Sequence, residues 1–463
     1  MSQSMRDFLQ AWEKTYPDDL VRITEEVDPK YEITAYTKKF DLADRYPVLI
    51  FENVKGSRMP VAVNVEAVGK HLACALNVPE EQVEAVYEKA EEDVLTGRAR
   101  FAPVEVPRPE APCKEVVIEK EDVDLSKFPV VTHNLGEPPY LTRAIGVCRD
   151  PENGLLHAAY YRLMVKSKNH LVTHITPGRH LWNIYKKAEA RGEPLPMAWC
   201  VGNHPLVSLG VQSRISHPPT EFDVVGALFG EPLRMVRCEH SDVWVPADTE
   251  IVIESELRPG ALEMEGPWAD FTRYSQTALR HSVFITGITH RRDPIYHDNG
   301  TYLKVHHHFN RVPQQVFVRR EIKRMVPNVQ DFRFGFFPAP MYGLITLDKK
   351  HPGEPKQAIL AAFAAEIYLK YVFVFDPDID LSSPRDIFWA LATRCQADRD
   401  FVIIPGIFGT DLDISAPQEG VVTKVGFDCT GKPFRKDLFA EGRINQELLE
   451  KIDISRYLAD KQK

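Results

Sequence analysis

The sequence lacks the features that mark membrane, secreted or nucleic-acid-binding proteins. No apolar run approaches the roughly 20 residues that cross a bilayer, and the N-terminus has no apolar signal-peptide core. The seven cysteines among 463 residues form no C-x-x-C pair, which favours reduced structural thiols. A net charge of -9 provides no broad attraction to nucleic acid. We therefore expect a cytoplasmic protein without membrane or nucleic-acid partners.

Nucleotide-binding loops are missing as well. The chain contains no G-x-G-x-x-G and no Walker-type loop, which are the glycine-rich signatures of dinucleotide and ATP sites. It also contains no internal repeat and no low-complexity segment. Its 44% hydrophobic residues can fill about three cores of roughly 150 residues each, which agrees with a multi-domain enzyme.

The hydrophobic pattern changes twice along the chain. In residues 1–115, Ser4 caps an expected helix, and a connector rich in proline and charge follows at 103–115. From 116 to 312, periods near two predict the strands of a β-rich, barrel-like domain. From 313 to 463, apolar helices alternate with buried strands, which indicates an α/β domain. The expected elements of this last part are helices at 355–369 and 385–393 and strands at 371–375 and 401–405.

Two carboxylates flank a rigid turn in the segment Glu265-Gly-Pro-Trp-Ala-Asp270. Proline fixes φ and glycine permits close backbone approach, so the turn can aim both acids into one cavity. Paired acids suit proton transfer. A solvated acidic loop is the alternative reading of this segment taken alone.

Four other segments combine polar and apolar residues in a distinctive order. They are Tyr161-Arg162, Pro177-Gly178-Arg179-His180, Glu221-Phe-Asp-Val-Val-Gly-Ala-Leu-Phe-Gly-Glu-Pro and Lys424-Val-Gly-Phe-Asp. Together with the acidic turn Glu265-Gly-Pro-Trp-Ala-Asp270, these segments resemble the UbiD-like decarboxylases, which use prenylated flavin mononucleotide (FMN). The resemblance covers residues 142 to 430.

The resemblance implies an α+β fold with a split β-barrel, similar to flavin reductases, that binds prenylated FMN. This barrel would lie between an N-terminal α+β domain and a C-terminal α/β oligomerisation domain, with a homodimer or homohexamer as the assembly. Thr142, Arg162, Arg179 and Lys424 would contact the cofactor. A flavin prenyltransferase would supply it.

The resemblance also implies a metal site formed by His157, His180 and Glu221. Manganese or magnesium is the expected ion, with potassium as a further candidate. The family has an asparagine at the position of His157, and imidazole shifts preference toward later divalent ions. Taken alone, these residues also suit a hydrogen-bonded core histidine or a hydrolase that activates water.

Arg162, Glu265 and Asp270 match the arginine-acid-acid network of the family. The resemblance implies that Glu265 pairs with the arginine and that Asp270 donates the proton. For substrate contacts we expect Phe271, because it directly follows Asp270. We also expect contacts from His306, His308 and Arg311. In an extended segment, His306 and His308 would share one face.

The predicted function is reversible, non-oxidative decarboxylation of an aromatic, heteroaromatic or α,β-unsaturated carboxylic acid. The alternatives are a metal-dependent hydrolase and a nonenzymatic flavin-binding protein of the same fold.

Overall fold

The computed structural model describes residues 3–215, 218–301, 303, 308–335, 340–418, 420–432 and 445–454. In these ranges the chain forms a mixed α+β structure around several hydrophobic clusters. No helix in the described ranges is both long and apolar enough to cross a membrane.

The N-terminal part packs helices on a small sheet. Ser4 caps the first helix as predicted: Asp7 N donates to Ser4 Oγ at 3.3 Å, and Phe8 and Trp12 are buried. The sheet has the order β1-β2-β3-β14, so it is completed by β14 (Tyr296–Asp298), which follows the barrel strands in sequence. The elements are α1 (Met5–Thr15), β1 (Leu20–Ile23), α2 (Glu32–Leu42), β2 (Val48–Phe51), β3 (Val61–Val63), α3 (Gly69–Leu76), α4 (Val83–Leu95) and β4 (Val104–Glu105).

The middle part is the predicted β-barrel. Its ring runs β12-β9-β6-β7-β8-β13 and closes through β12–β13 pairing, with β5 added to β13. Closure leaves no exposed barrel edge, and one face of the strands fills the core around Trp199. The elements are β5 (Val116–Glu119), β6 (Tyr140–Arg149), β7 (Leu156–Ser167), β8 (His170–Thr173), α5 (His180–Ala190), β9 (Leu195–Val201), α6 (Pro205–Gly210), α7 (Glu221–Phe229), β10 (Arg234–Arg237), β11 (Trp244–Pro246), β12 (Ile251–Ala269), β13 (Ser275–His290) and β14 (Tyr296–Asp298).

The C-terminal part is an α/β sheet of order β15-β16-β17-β19-β18, in which β16, β17 and β19 are parallel. Its predicted helices and strands are present: the strand at 371–375 has the predicted bounds, and the others are shifted by a few residues. The elements are α8 (His308–Met325), β15 (Val329–Phe334), β16 (Tyr342–Leu347), α9 (Glu354–Ala365), β17 (Tyr371–Phe375), α10 (Pro384–Arg394), α11 (Ala397–Asp400), β18 (Phe401–Phe408), β19 (Val421–Cys429) and α12 (Gln446–Lys451).

Helix α8 crosses position 312, where the sequence placed the boundary of the last domain. Val316 packs with helices of the N-terminal part, whereas Val318 and Ile322 pack with the C-terminal sheet. The helix therefore joins two cores.

Candidate active site

Arg162 on β7 holds both acids of the turn. Its Nε and Nη2 donate to Glu265 Oε1 and Oε2 at 2.7 and 3.0 Å, and its Nη1 donates to Asp270 Oδ2 at 2.8 Å. Asp270 also accepts bonds from the indole nitrogen of Trp268 at 3.0 Å and from the backbone nitrogen of Phe271 at 2.7 Å. The predicted arginine-acid-acid cluster is therefore assembled, with a two-bond fork on Glu265 and one arginine bond on Asp270.

A break in strand register brings the two acids together. Residues five apart on a regular strand point to opposite faces. Between Glu265 and Trp268 the pairing of β12 with β13 shifts, and Gly266 adopts a φ of +107°. A Cβ atom on Gly266 would lie 2.4 Å from the carbonyl oxygen of Gln276, so only glycine fits there.

The acids lie in a buried, charged environment. Burial opposes the charge of Arg162, but Glu265 and Asp270 outweigh it and raise the pKa of the guanidinium. Burial, together with the charge of Glu265, raises the pKa of Tyr140. Burial also raises the pKa of Glu137, which accepts a bond from the backbone nitrogen of Ala269 at 2.6 Å. Glu137 thus holds the backbone of the turn at Ala269.

The three predicted metal ligands converge as well. His157 lies on β7, while His180 and Glu221 are the first residues of α5 and α7. One ligand atom from each lies within 4.8 Å of the others, and His157 Nδ1 is 2.8 Å from Glu221 Oε1. Two imidazoles and a carboxylate at this spacing fit one divalent ion. The N-termini of α5 and α7 also favour an anion beside that ion.

One cavity of about 550 Å³ connects the two clusters. One region of the cavity is lined by Arg162 and Asp270. Another region is lined by His157, His180 and Glu221, which we call the metal-ligand set. The C-terminal part contributes Gln314, Phe317 and Tyr368 to its wall. A cofactor in this cavity can therefore contact the predicted metal ligands, Arg162 and Asp270 simultaneously.

The predicted cofactor contacts have protein partners in this structure. Thr142 lines the cavity and donates to Asp298 Oδ1 at 2.7 Å. Arg179 also lines it and donates to Glu366 Oε1 at 3.1 Å. Lys424 is buried and donates to the carbonyl oxygen of Ile367 at 3.2 Å, and burial lowers its pKa to about 8.

The predicted substrate contacts are only partly brought to the site. Phe271 is buried and packs edge-on against Tyr368, which lines the cavity. The expectation of an extended segment is wrong from residue 308 onward, because His308 begins α8. Its side chain, like the whole of His306, lies outside the described residues. Arg311 donates to the carbonyl oxygen of Gly335 at 3.2 Å instead of lining the cavity.

Four charged residues that are paired in and around the site were not predicted from the sequence: Glu366, Arg214, Asp411 and Arg280. Glu366, with no exposed surface, accepts bonds from Arg179 and Arg214. Asp411 lies 3.0 Å from both Arg280 Nη2 and His174 Nε2. These acids follow α9 and β18 in the C-terminal part, far in sequence from their partners, and only the fold pairs them.

Three models from one enzyme family match successive parts of this chain. The 3-octaprenyl-4-hydroxybenzoate carboxy-lyase Rift-related domain matches residues 104–303, and the C-terminal and N-terminal domains of that carboxy-lyase match residues 307–429 and 14–90. The chain belongs to the UbiD family and is a carboxy-lyase.

Known relatives agree over nearly the whole length. Anhydromevalonate phosphate decarboxylase from Methanosarcina mazei is 32% identical over 92% of this chain and 96% of its own. The UbiD-class enzyme HmfF from Pelotomaculum thermopropionicum, solved in complex with FMN, is 36% identical with a TM-score of 0.86, over 98% of this chain and all of its own. Vanillic acid decarboxylase from Sedimentibacter hydroxybenzoicus, 26% identical over 99% of both chains, has TM-scores of 0.87 in its closed form and 0.81 in its open form.

Proposed function

We propose that the chain catalyses reversible, non-oxidative decarboxylation of an aromatic, heteroaromatic or α,β-unsaturated carboxylic acid with prenylated FMN as its cofactor. The observation that carries the proposal is the single cavity joining the Arg162 cluster to the metal-ligand set. The FMN complex of a 36% identical relative supports a flavin in that cavity.

His157, His180 and Glu221 would hold a divalent ion that binds the cofactor phosphate. A phosphate buried without a cation or hydrogen-bond donors carries a large desolvation cost. Manganese or magnesium suits the carboxylate and phosphate oxygens, and the second imidazole extends the range toward later divalent ions. Thr142, Arg179 and Lys424 would contact the cofactor from around this anchor.

The prenylated flavin, when bound, supplies the electron sink that loss of carbon dioxide requires. The side chains of this chain orient the substrate and transfer the proton. Arg162 fixes Glu265 by two bonds and Asp270 by one. We assign proton donation to Asp270, because it lines the cavity whereas Glu265 is held behind it by the fork of Arg162. Like any catalyst, this site accelerates both directions, so carbon dioxide concentration and product removal set the net direction.

The substrate class includes phosphorylated and aromatic acids among the relatives. A Methanosarcina relative acts on anhydromevalonate phosphate, and a structural neighbour acts on vanillic acid. Phe271, His306, His308 and Arg311 are our candidates for residues that select among such acids. We further propose a cytoplasmic homodimer or homohexamer, with a flavin prenyltransferase as cofactor supplier.

The domains at 1–115, 116–312 and 313–463 would move relative to one another. The open and closed forms of vanillic acid decarboxylase support such motion, and the higher TM-score here belongs to the closed form. Tyr368 and Phe317 reach the cavity from the C-terminal part, so closure would complete its wall.

The test is expression with and without a flavin prenyltransferase, followed by mass spectrometry of the released cofactor. Carbon dioxide release is then measured with a panel of aromatic, heteroaromatic and unsaturated acids, including anhydromevalonate phosphate. We expect a prenylated flavin and turnover of at least one acid. Flavin binding without carbon dioxide release from any acid would favour the nonenzymatic alternative, and metal-dependent hydrolysis without flavin would favour the hydrolase.

A further inference from the structure

The C-terminal part inserts one carboxylate beside the acid cluster. Asp411 lies in the loop that follows β18, and its side chain is 11% exposed. It accepts a bond from Arg280 Nη2 at 3.0 Å and lies 3.0 Å from His174 Nε2. The next residue, Leu412, accepts a bond from Gln276 on β13 through its carbonyl oxygen at 3.3 Å. The loop is therefore docked on the barrel.

Arg280 lies between this carboxylate and Glu265. Its Nη2 makes a hydrogen bond with Asp411, whereas its Nε is 3.9 Å from Glu265 Oε2, beyond hydrogen-bond distance. Glu265 is meanwhile held by the fork of Arg162. One guanidinium is thus shared between two acids, with the shorter contact on the C-terminal side.

We propose that Asp411 is a positioning residue for decarboxylation, which rests on the proposed function. By holding Arg280 on the C-terminal side, it leaves the fork of Arg162 undivided on Glu265. Without that charge, Arg280 turns to Glu265, and the carboxylate is then divided between two guanidinium groups. The arginine-acid-acid cluster then has its working geometry only while the loop carrying Asp411 is docked.

The first test is the crystal structure of Asp411→Asn. We expect Arg280 Nε or Nη2 to approach Glu265 to about 2.9 Å, a normal hydrogen-bond distance. An unmoved Arg280 would overturn the proposal. This measurement needs no turnover, so it distinguishes failure of the inference from failure of the proposed function, which would show as no carbon dioxide release by the unaltered enzyme.

The second test is a double-mutant cycle in the cofactor-loaded enzyme. Asp411→Asn should lower kcat about tenfold and leave KM within about twofold of its original value. A tenfold effect is within the range of interaction energies between neighbouring residues. With Arg280→Gln already present, adding Asp411→Asn should lower kcat by less than about threefold, because no guanidinium remains to turn. Equal losses in both backgrounds would mean that Asp411 only docks the loop.

Two further variants separate positioning from stability. Asp411→Glu keeps the charge and should retain most of kcat. Asp411→Ala also removes the charge and replaces Asp411→Asn in both tests if the latter does not fold. Asp413→Asn is the matched control, because Asp413 lies in the same loop but pairs with Lys370, at 2.7 Å. We expect it to leave kcat unchanged. A loss equal to that of Asp411→Asn would overturn the role of Arg280.

Discussion

At the scale of single residues, the geometry of Arg162 sets the chemistry of the two acids. Its planar fork makes two parallel bonds to Glu265 and leaves a third donor for Asp270. Lysine offers a point charge and cannot reproduce this arrangement. The two acids therefore differ in their contacts, although one side chain holds both.

The assignment of the proton donor can be tested with Asp270→Asn. The amide keeps the approximate shape but cannot act as an acid, so we expect turnover to fall by roughly 100- to 10,000-fold. Flavin content should stay near normal, because the metal-ligand set is untouched. Initial rate and flavin content are measured on the same preparations. The matched control is Glu263→Gln, on the same strand but 36% exposed. Near-normal turnover of Asp270→Asn with full flavin occupancy would remove Asp270 from the donor role.

His157 offers a test of the metal site that separates this chain from its family. If His157 is a ligand, His157→Asn should preserve cofactor binding and shift preference toward harder ions, because an amide oxygen suits manganese better than an imidazole nitrogen does. His157→Leu should lose both metal and cofactor. Manganese is set in competition with zinc or nickel, and the bound metal is measured by elemental analysis. Identical metal ratios in His157→Asn and the unaltered protein would rule out a direct ligand.

The sequence predicts which side chains converge where a motif contains them, while their roles stay predictions. His157, His180 and Glu221 converge, and Arg162 meets both acids, as the resemblance implied. It does not reveal partners that only the fold brings near. Glu366 stands 187 positions from Arg179, and no local pattern marks it as a buried ion-pair acid.

At the scale of secondary-structure elements, the register shift in β12 is the feature that aims the acids. Gly266→Ala tests it, because the new Cβ atom would meet the carbonyl oxygen of Gln276 and a φ of +107° strains any L-residue. We expect turnover to fall while flavin binding persists. Gly260→Ala is the matched control: it has a φ of +68° on the same strand but open space around the Cβ position. Equal loss in both variants would mean that positive φ alone, not the turn at Gly266, matters.

The elements also show where periodicity is informative and where it fails. Strand β17 was predicted with its observed bounds, because a short apolar run between turns is a strong signal. Helix α8 was missed. It contains Pro313, and its apolar residues pack on two different cores, so they do not form one stripe. A helix buried on two sides has no single-face pattern to detect.

At the scale of the whole molecule, the C-terminal part supplies two carboxylates that pair with arginines of the middle part. Glu366 contacts Arg179 and Arg214, which line the cavity, and Asp411 contacts Arg280 and also His174, which lines the cavity. Burial opposes the charge of Glu366, but Arg214 and Arg179 outweigh it and lower its pKa. Burial also opposes the charge of Asp411, but His174 and Arg280 outweigh it and lower the pKa of Asp411. Both acids thus stabilise the docked arrangement in their charged form.

The pH dependence of stability follows from the lowered pKa of Glu366. A depressed carboxyl pKa gives stability that is fully present above the unfolded value, about 4.3, and is lost as pH falls through the folded value. Glu366→Gln should therefore lower the free energy of unfolding by roughly 3 kcal/mol at pH 7, as for breaking a buried ion pair. The difference from the unaltered protein should shrink steadily below about pH 4.3. Denaturation midpoints at pH 7, 5, 4 and 3 measure it, with Glu193→Gln, on the exposed turn after α5, as the control for one lost carboxylate. A difference that stayed constant down to pH 3 would mean that the charge of Glu366 does not hold the two parts together.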